Sequence, residues 1–169
     1  MTDLMEKYML KGELLSIYGN TRDTSKFSVG FIQSVSQGKV LINSINQKGE
    51  YDGYQARLIN DIYLIEHGNA YLSALKDLIS KTKHKKISYM DDIFHGLLDF
   101  AKENHLVVSI QLCENGYDDM IGYVDYFTND LLGIDVLDEN GDADGVAECT
   151  ISSISIISCD GGDEQSLMK

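Results

Sequence analysis

A chain of 169 residues, 43% hydrophobic and 24% charged, has ordinary globular composition, which excludes wholesale disorder and allows one domain or two small ones. Its formal net charge of −13 repels phosphate backbones at long range and disfavours a broad nucleic-acid-binding face. No apolar run approaches the roughly 18 residues of a membrane span, and the absence of proline removes cis-proline turns and polyproline ligand segments.

The first residues, MTDLMEKYMLKGE, place acids and lysines where a signal peptide needs an apolar core, which implies a cytoplasmic protein. Within them Leu4, Met5, Tyr8 and Met9 form a short helical stripe. Alternation and turn residues then predict strands over Leu14–Tyr18, Phe27–Val35, Lys39–Asn46, Tyr54–Ile59 and Ile62–Glu66. Gly30 sits inside the second of these, where glycine marks a bend or a close backbone approach. Asp52-Gly53 supplies a turn tolerant of positive φ. Tyr71, Leu72, Leu75, Leu78 and Ile79 predict a further helix, followed by the basic run Lys81-Thr82-Lys83-His84-Lys85-Lys86. Next, Ile93, Phe94, Leu97, Leu98 and Ala101 lie on one helical face, with Ser88 and Asp91 at capping-box spacing ahead of them.

From here the pattern repeats. Shifted by 92 positions, Gly30–Gly68 lies on Gly122–Asp160 without a gap. Identities include Gly30/Gly122, Ile42/Ile134, Gly49/Gly141, Asp52/Asp144, Gly53/Gly145 and Ile65/Ile157. The eight identities in these 39 positions exceed the roughly two or three that average composition gives by chance. A shift of 93 aligns Leu14–Ile17 with Val107–Ile110. The expected fold class is therefore mainly β with helices (α+β): two tandem five-stranded barrels, each preceded by a helix. The expected units are residues 1–69, a helical connection over 70–87, a second unit over 88–163 and a tail over 164–169.

With Gly30-x-Ile32-x-x-Val35 and Gly122-x-Val124-x-x-Phe127 in the second strand of each unit, the chain resembles the Sm-like branch of the SH3-like small barrels. That pattern continues with an RNA-contacting Asp and Asn, where this chain holds Ser36 and Thr128, then Val40 and Leu132. The Arg-Gly step before the last strand is replaced by Asn60-Asp61 and Ser152-Ser153. The resemblance thus implies the fold rather than the family's RNA binding. PRC-type barrels share a similar glycine-containing strand, so the subfamily stays open.

Chemistry-bearing patterns are few. Asn140, Asp142, Asp144, Gly145 and Glu148 fall at positions 1, 3, 5, 6 and 9 of a calcium loop, but Ile151 stands where the bidentate Glu belongs. The same residues also read as a solvated hairpin turn, like Lys48–Gly53 in the first unit. Between Leu106 and Asp163 there are thirteen acids and no Lys or Arg. That imbalance reads either as simple solubility or as an acidic surface for a basic partner. The lysine run is a solvated helix end, a contact for the acidic second unit of the same or another chain, or, through Lys83, Lys85 and Lys86, a phosphate grip. His67, His84, His95 and His105 lack metal spacing, and Cys113, Cys149 and Cys159 lack a neighbouring cation to activate them. Tyr51, Tyr54, Tyr63, Tyr123 and Tyr126 pack against strands or line an aromatic groove. No phosphate loop, nucleophile elbow or HExxH is present.

The sequence thus points to a non-catalytic protein–protein interaction or assembly module, without cofactor, with an acidic second unit and homo-oligomeric. The alternative is RNA binding through the first unit and Lys83, Lys85 and Lys86.

Overall fold

The computed structural model describes residues 1–79, 87, 91–113 and 120–169. In the first half, helix α1 (Thr2–Lys11) precedes strands β1 (Leu14–Tyr18), β2 (Ser28–Ser36), β3 (Lys39–Ile45), β4 (Tyr51–Leu58) and β5 (Leu64–His67). Helix α2 (Ala70–Leu78) follows. In the second half, α3 (Ile93–Glu103) precedes β6 (Val107–Leu112), β7 (Met120–Phe127), β8 (Leu131–Leu137), β9 (Ala143–Thr150) and β10 (Ile154–Cys159), and α4 (Gly162–Leu167) follows. The molecule is mainly β.

The ten strands of the described residues form one antiparallel sheet in the order β5-β1-β2-β3-β4-β10-β6-β7-β8-β9. The expectation of two closed barrels is therefore corrected. Each set of five strands is contiguous, but neither set curls back to close on itself. The far side of β4 is occupied by β10, whose own far side holds β6. An unpaired row of backbone groups must find a partner somewhere, and here the inner edge of one half satisfies the other.

The two halves share their register. Gly30 faces Ser44, and Gly122 faces Val136; Val40 faces Arg57, and Leu132 faces Cys149. The irregularity between Ile32 and Ser34 recurs between Val124 and Tyr126. Gly30 and Gly122 explain why the second strands come so close to the third. A Cβ on Gly30 would sit 2.2 Å from the Asn43 carbonyl oxygen, and one on Gly122 would sit 2.0 Å from that of Asp135.

The helices cover the sheet. α1 packs Met5 and Tyr8 on Leu15, Ile17, Ile32 and Val40. α2 turns back over the first half, where Leu72 and Leu75 bury with Leu14, Val29 and Ile45. The short α4 lies against β6, and Glu164 accepts from the Ser109 hydroxyl at 2.6 Å. The stripe of α3 is wholly buried: Ile93, Phe94, Leu97, Leu98 and Ala101 are at most 1% exposed. Its cap is Asp92 rather than the expected Ser88–Asp91 box, because the Asp92 carboxylate accepts the His95 N–H at 3.0 Å. Ser88 lies outside the described residues.

Candidate functional site

The joint between the halves is where the polar chemistry collects. On β4 and β10, Arg57 faces Ile156, Ala56 faces Ile157, Gln55 faces Ser158 and Tyr54 faces Cys159. Tyr54 is 1% exposed and meets Tyr51 and Phe100 edge-on, each at 5.4 Å between centroids. Such pairs add to the stabilisation from burying large aromatic area. Gly53, at φ 76°, lets the chains approach: a Cβ there would lie 2.3 Å from the Cys159 carbonyl oxygen. Beside it the Gly162 N–H donates to Asp52 Oδ1 at 2.8 Å, and the Ser155 hydroxyl donates to Asp61 Oδ2 at 2.6 Å.

α3 fastens the joint from one face. Lys39 Nζ donates to Asp92 Oδ2 at 2.7 Å and stands 5.1 Å from the Phe94 ring centroid. Burial alone would push the Asp92 carboxyl up, but the hydrogen bonds from Lys39 and from the His95 N–H outweigh it and hold the group well below the usual range. Gln33 and Ser36 donate to the Ile87 and Asp91 carbonyls at 3.2 and 2.8 Å.

The outer strands carry the counterpart residues with one edge unpaired. β5 and β9 end the sheet. Val146, the counterpart of Tyr54, is 64% exposed; Leu64, the counterpart of Ile156, is 42% exposed. Gly145, the counterpart of Gly53, keeps positive φ (93°), yet nothing lies within 4 Å of the Cβ position.

The expected candidates fall as follows. Asn140 and Asp142 lie in a turn held by Asp138, whose carboxylate accepts the N–H groups of both, at 2.8 and 2.9 Å. Those two bonds hold the Asp138 carboxyl below its ordinary range. In the first half Asn46 does the same for Lys48 and Glu50, at 2.9 and 3.0 Å. Asp142 also meets Lys169 Nζ at 2.5 Å. Asp144 is exposed on β9, and Glu148 accepts the Tyr126 hydroxyl at 2.6 Å. Among the described residues no three His, Cys, Asp or Glu side chains gather as a metal site.

Lys83, Lys85, Lys86 and His84 lie outside the described residues. His95 bonds the Thr128 carbonyl through Nε2 at 3.0 Å; His67 packs on Tyr8 and His105 stacks on Tyr123. No disulfide joins the cysteines, and burial pushes the Cys149 and Cys159 thiols up. Of the tyrosines, Tyr54 belongs to the joint, whereas Tyr63 is exposed near Tyr18.

No protein-family model, curated protein or solved structure matches this chain. Among the described residues, no helix is long and apolar enough to cross a membrane.

One buried charged group escaped the sequence reading. Arg57, on β4, is only 4% exposed. A signal for it existed, since the repeat aligns it with Cys149, but an isolated Arg in an apolar strand reads as solvent-facing unless both faces of that strand are covered.

Proposed function

We propose that the chain is a non-catalytic assembly module whose β9 edge pairs with the β5 edge of a second copy, head to tail. The observation that carries this reading is the joint itself: β4 and β10 already pair within the chain, and β9 and β5 are their counterparts at the sheet's two ends. The joint's register, transferred by the repeat, sets Leu64 opposite Cys149, Ile65 opposite Glu148, Glu66 opposite Ala147 and His67 opposite Val146.

Two retained identities support it. Asp52 and Gly53 receive the Gly162 N–H and the Cys159 carbonyl at the joint, and Asp144 and Gly145 repeat them on the open edge. The transferred geometry brings the N–H of Ala70 of the second copy to Asp144. Gly145 serves the bulge that β9 makes against β8, as Gly53 does for β4 against β3, and the space beside Gly145 is open for the strand that Gly53 already meets.

Charge favours head-to-tail pairing over pairing of like edges. The thirteen acids between Leu106 and Asp163 would face their own copies if β9 met β9, whereas β9 on β5 alternates an acidic half with one that holds six acids and six bases between Lys11 and Asn69. Such a heterologous contact yields a ring where the rotation closes and a filament where it does not. The acidic half remains available for a basic protein partner.

Light-scattering mass tests the reading. The wild-type chain is expected at a multiple of 18.9 kDa, with Val146→Lys and Leu64→Lys each reducing it to the single-chain mass. A wild-type chain that stays at the single-chain mass across a hundredfold concentration range overturns it. Binding of a short mixed-sequence RNA at low salt, lost on changing Lys83, Lys85 and Lys86 to Ala, would instead favour the RNA-binding alternative.

A further inference from the structure

Among the described residues, Arg57 is the buried charge that the fold leaves least satisfied. Arginine is almost never fully buried without a partner, and leaving a buried charge unpaired is costly. Yet Arg57 forms no ion pair among the described residues. Nη1 reaches Gln55 Oε1 only at a long 3.4 Å, and Nε has no partner. The nearby Asp61 charge acts on it, but the Asp61 carboxylate is engaged by Ser155. The fold itself does not demand an arginine, because Cys149 fills the corresponding place in the second half at the same register.

The guanidinium lines an open cleft of about 660 Å³ beside the joint, within the range of small-molecule sites. Gly19 makes room for it: a Cβ there would stand 1.9 Å from Nη2. In the second half the aligned residue is Leu112, so the glycine and the arginine occur together in one half and together are replaced in the other. With Nη1 turned to Gln55 and Nε shut inside the fold, Nη2 is the donor of the fork left for an anionic oxygen that enters from the cleft.

We infer that the cleft beside Gly19 is a binding site for a small-molecule carboxylate, held by Nη2 of Arg57. The lining charges decide the class. Arg22, Lys26 and Arg57 stand against Asp23 and Asp61, a net of one positive charge in a chain of −13. A monoanion neutralises that charge, whereas a dianionic phosphate leaves an excess of negative charge next to Asp61. Asn20, Gln111 and Ser155 supply neutral donors and acceptors for the rest of the ligand. The site belongs to the single chain and does not depend on the assembly proposed above.

The test is a proton–nitrogen correlation titration with sodium acetate, against sodium chloride at equal ionic strength and sodium phosphate at the same pH. Acetate is expected to shift the Arg57 Nε–H and the Gly19 and Asn20 amides saturably. Chloride should leave them within their linear salt drift, and phosphate should act more weakly than acetate at equal concentration. Arg57→Met and Gly19→Ala should each abolish the saturable response. The alanine variant keeps the charge and displaces only the guanidinium, so it decides the matter should the methionine variant fail to fold. A response absent in the wild-type chain, stronger for phosphate, or unchanged in Gly19→Ala overturns the assignment.

Discussion

Strands β4 and β9 are the same strand in two situations. Both pair with the strand before them in one register, and both open with an Asp-Gly step, at Asp52-Gly53 and Asp144-Gly145. Only β4 has a strand on its other side. Tyr54 is accordingly 1% exposed where Val146 is 64% exposed. Local sequence therefore shapes the strand and its register, while the neighbour across the second edge decides what the strand is worth. Each half keeps the equipment for a joint, and the chain uses it once internally.

The largest break in that comparison comes at its buried end. Tyr54→Ala removes the ring that Tyr51 and Phe100 close upon and is expected to cost about 3–5 kcal/mol in denaturant unfolding. Val146→Ala at the exposed end should stay within about 0.5 kcal/mol for the single chain. Equal losses at the two sites would show that β9 is already covered in solution.

A second difference lies in the helices. α3 has a side-chain cap in Asp92, whereas α1 begins after Met1 with none. Asp92→Ala is expected to cost about 1–2 kcal/mol at neutral pH. The folded Asp92 carboxyl titrates below its unfolded value, so its stabilisation is present above the ordinary aspartate pKa, about 3.9. It is lost as pH falls from there towards the folded value. Thermal melts between pH 7 and pH 2 should show the wild type and Asp92→Ala converging in that acidic window; a constant gap would assign the effect to packing.

The smallest effect is expected where the halves agree. Asp138 and Asn46 hold equivalent turns through equivalent N–H bonds, so Asp138→Asn should leave the melting temperature unchanged within error. A drop of several degrees would mean that the second turn uses the carboxylate's charge, and calcium titration of the wild-type chain would then show whether Asp142, Asp144 and Glu148 share in that.

Much of this architecture was legible in the residues. Alternation at Phe27–Val35 and the repeat placed the strands, and the stripe from Ile93 to Ala101 placed the helix that is the most buried of the four described. The arrangement of the two halves was not legible. A strand's periodicity records which faces are covered and says nothing of which strand lies along its edge, so the β4–β10 pairing left no local trace and closure of each half looked natural. The same blindness hid Arg57: β4 lies mid-sheet between β3 and β10, and the close approach of Gly19 to the guanidinium helps to bury a residue of surface type. For the acidic turn, composition alone could not separate ligands from turn formers, because Asp serves both and the N–H groups that claim Asp138 belong to the backbone.

The joint also sets an order on the chain's own folding. Arg57 and Ile156 are separated by about a hundred residues, and contacts between such distant segments form late because the intervening loop must close first. During synthesis the first half emerges with its β4 edge bare and waits for the final strand to be made. In that interval a β10 from a neighbouring chain offers the same register at the same edge. Refolding at high concentration should therefore populate exchanged dimers, in which each chain completes the other's sheet, and dilution during refolding should suppress them.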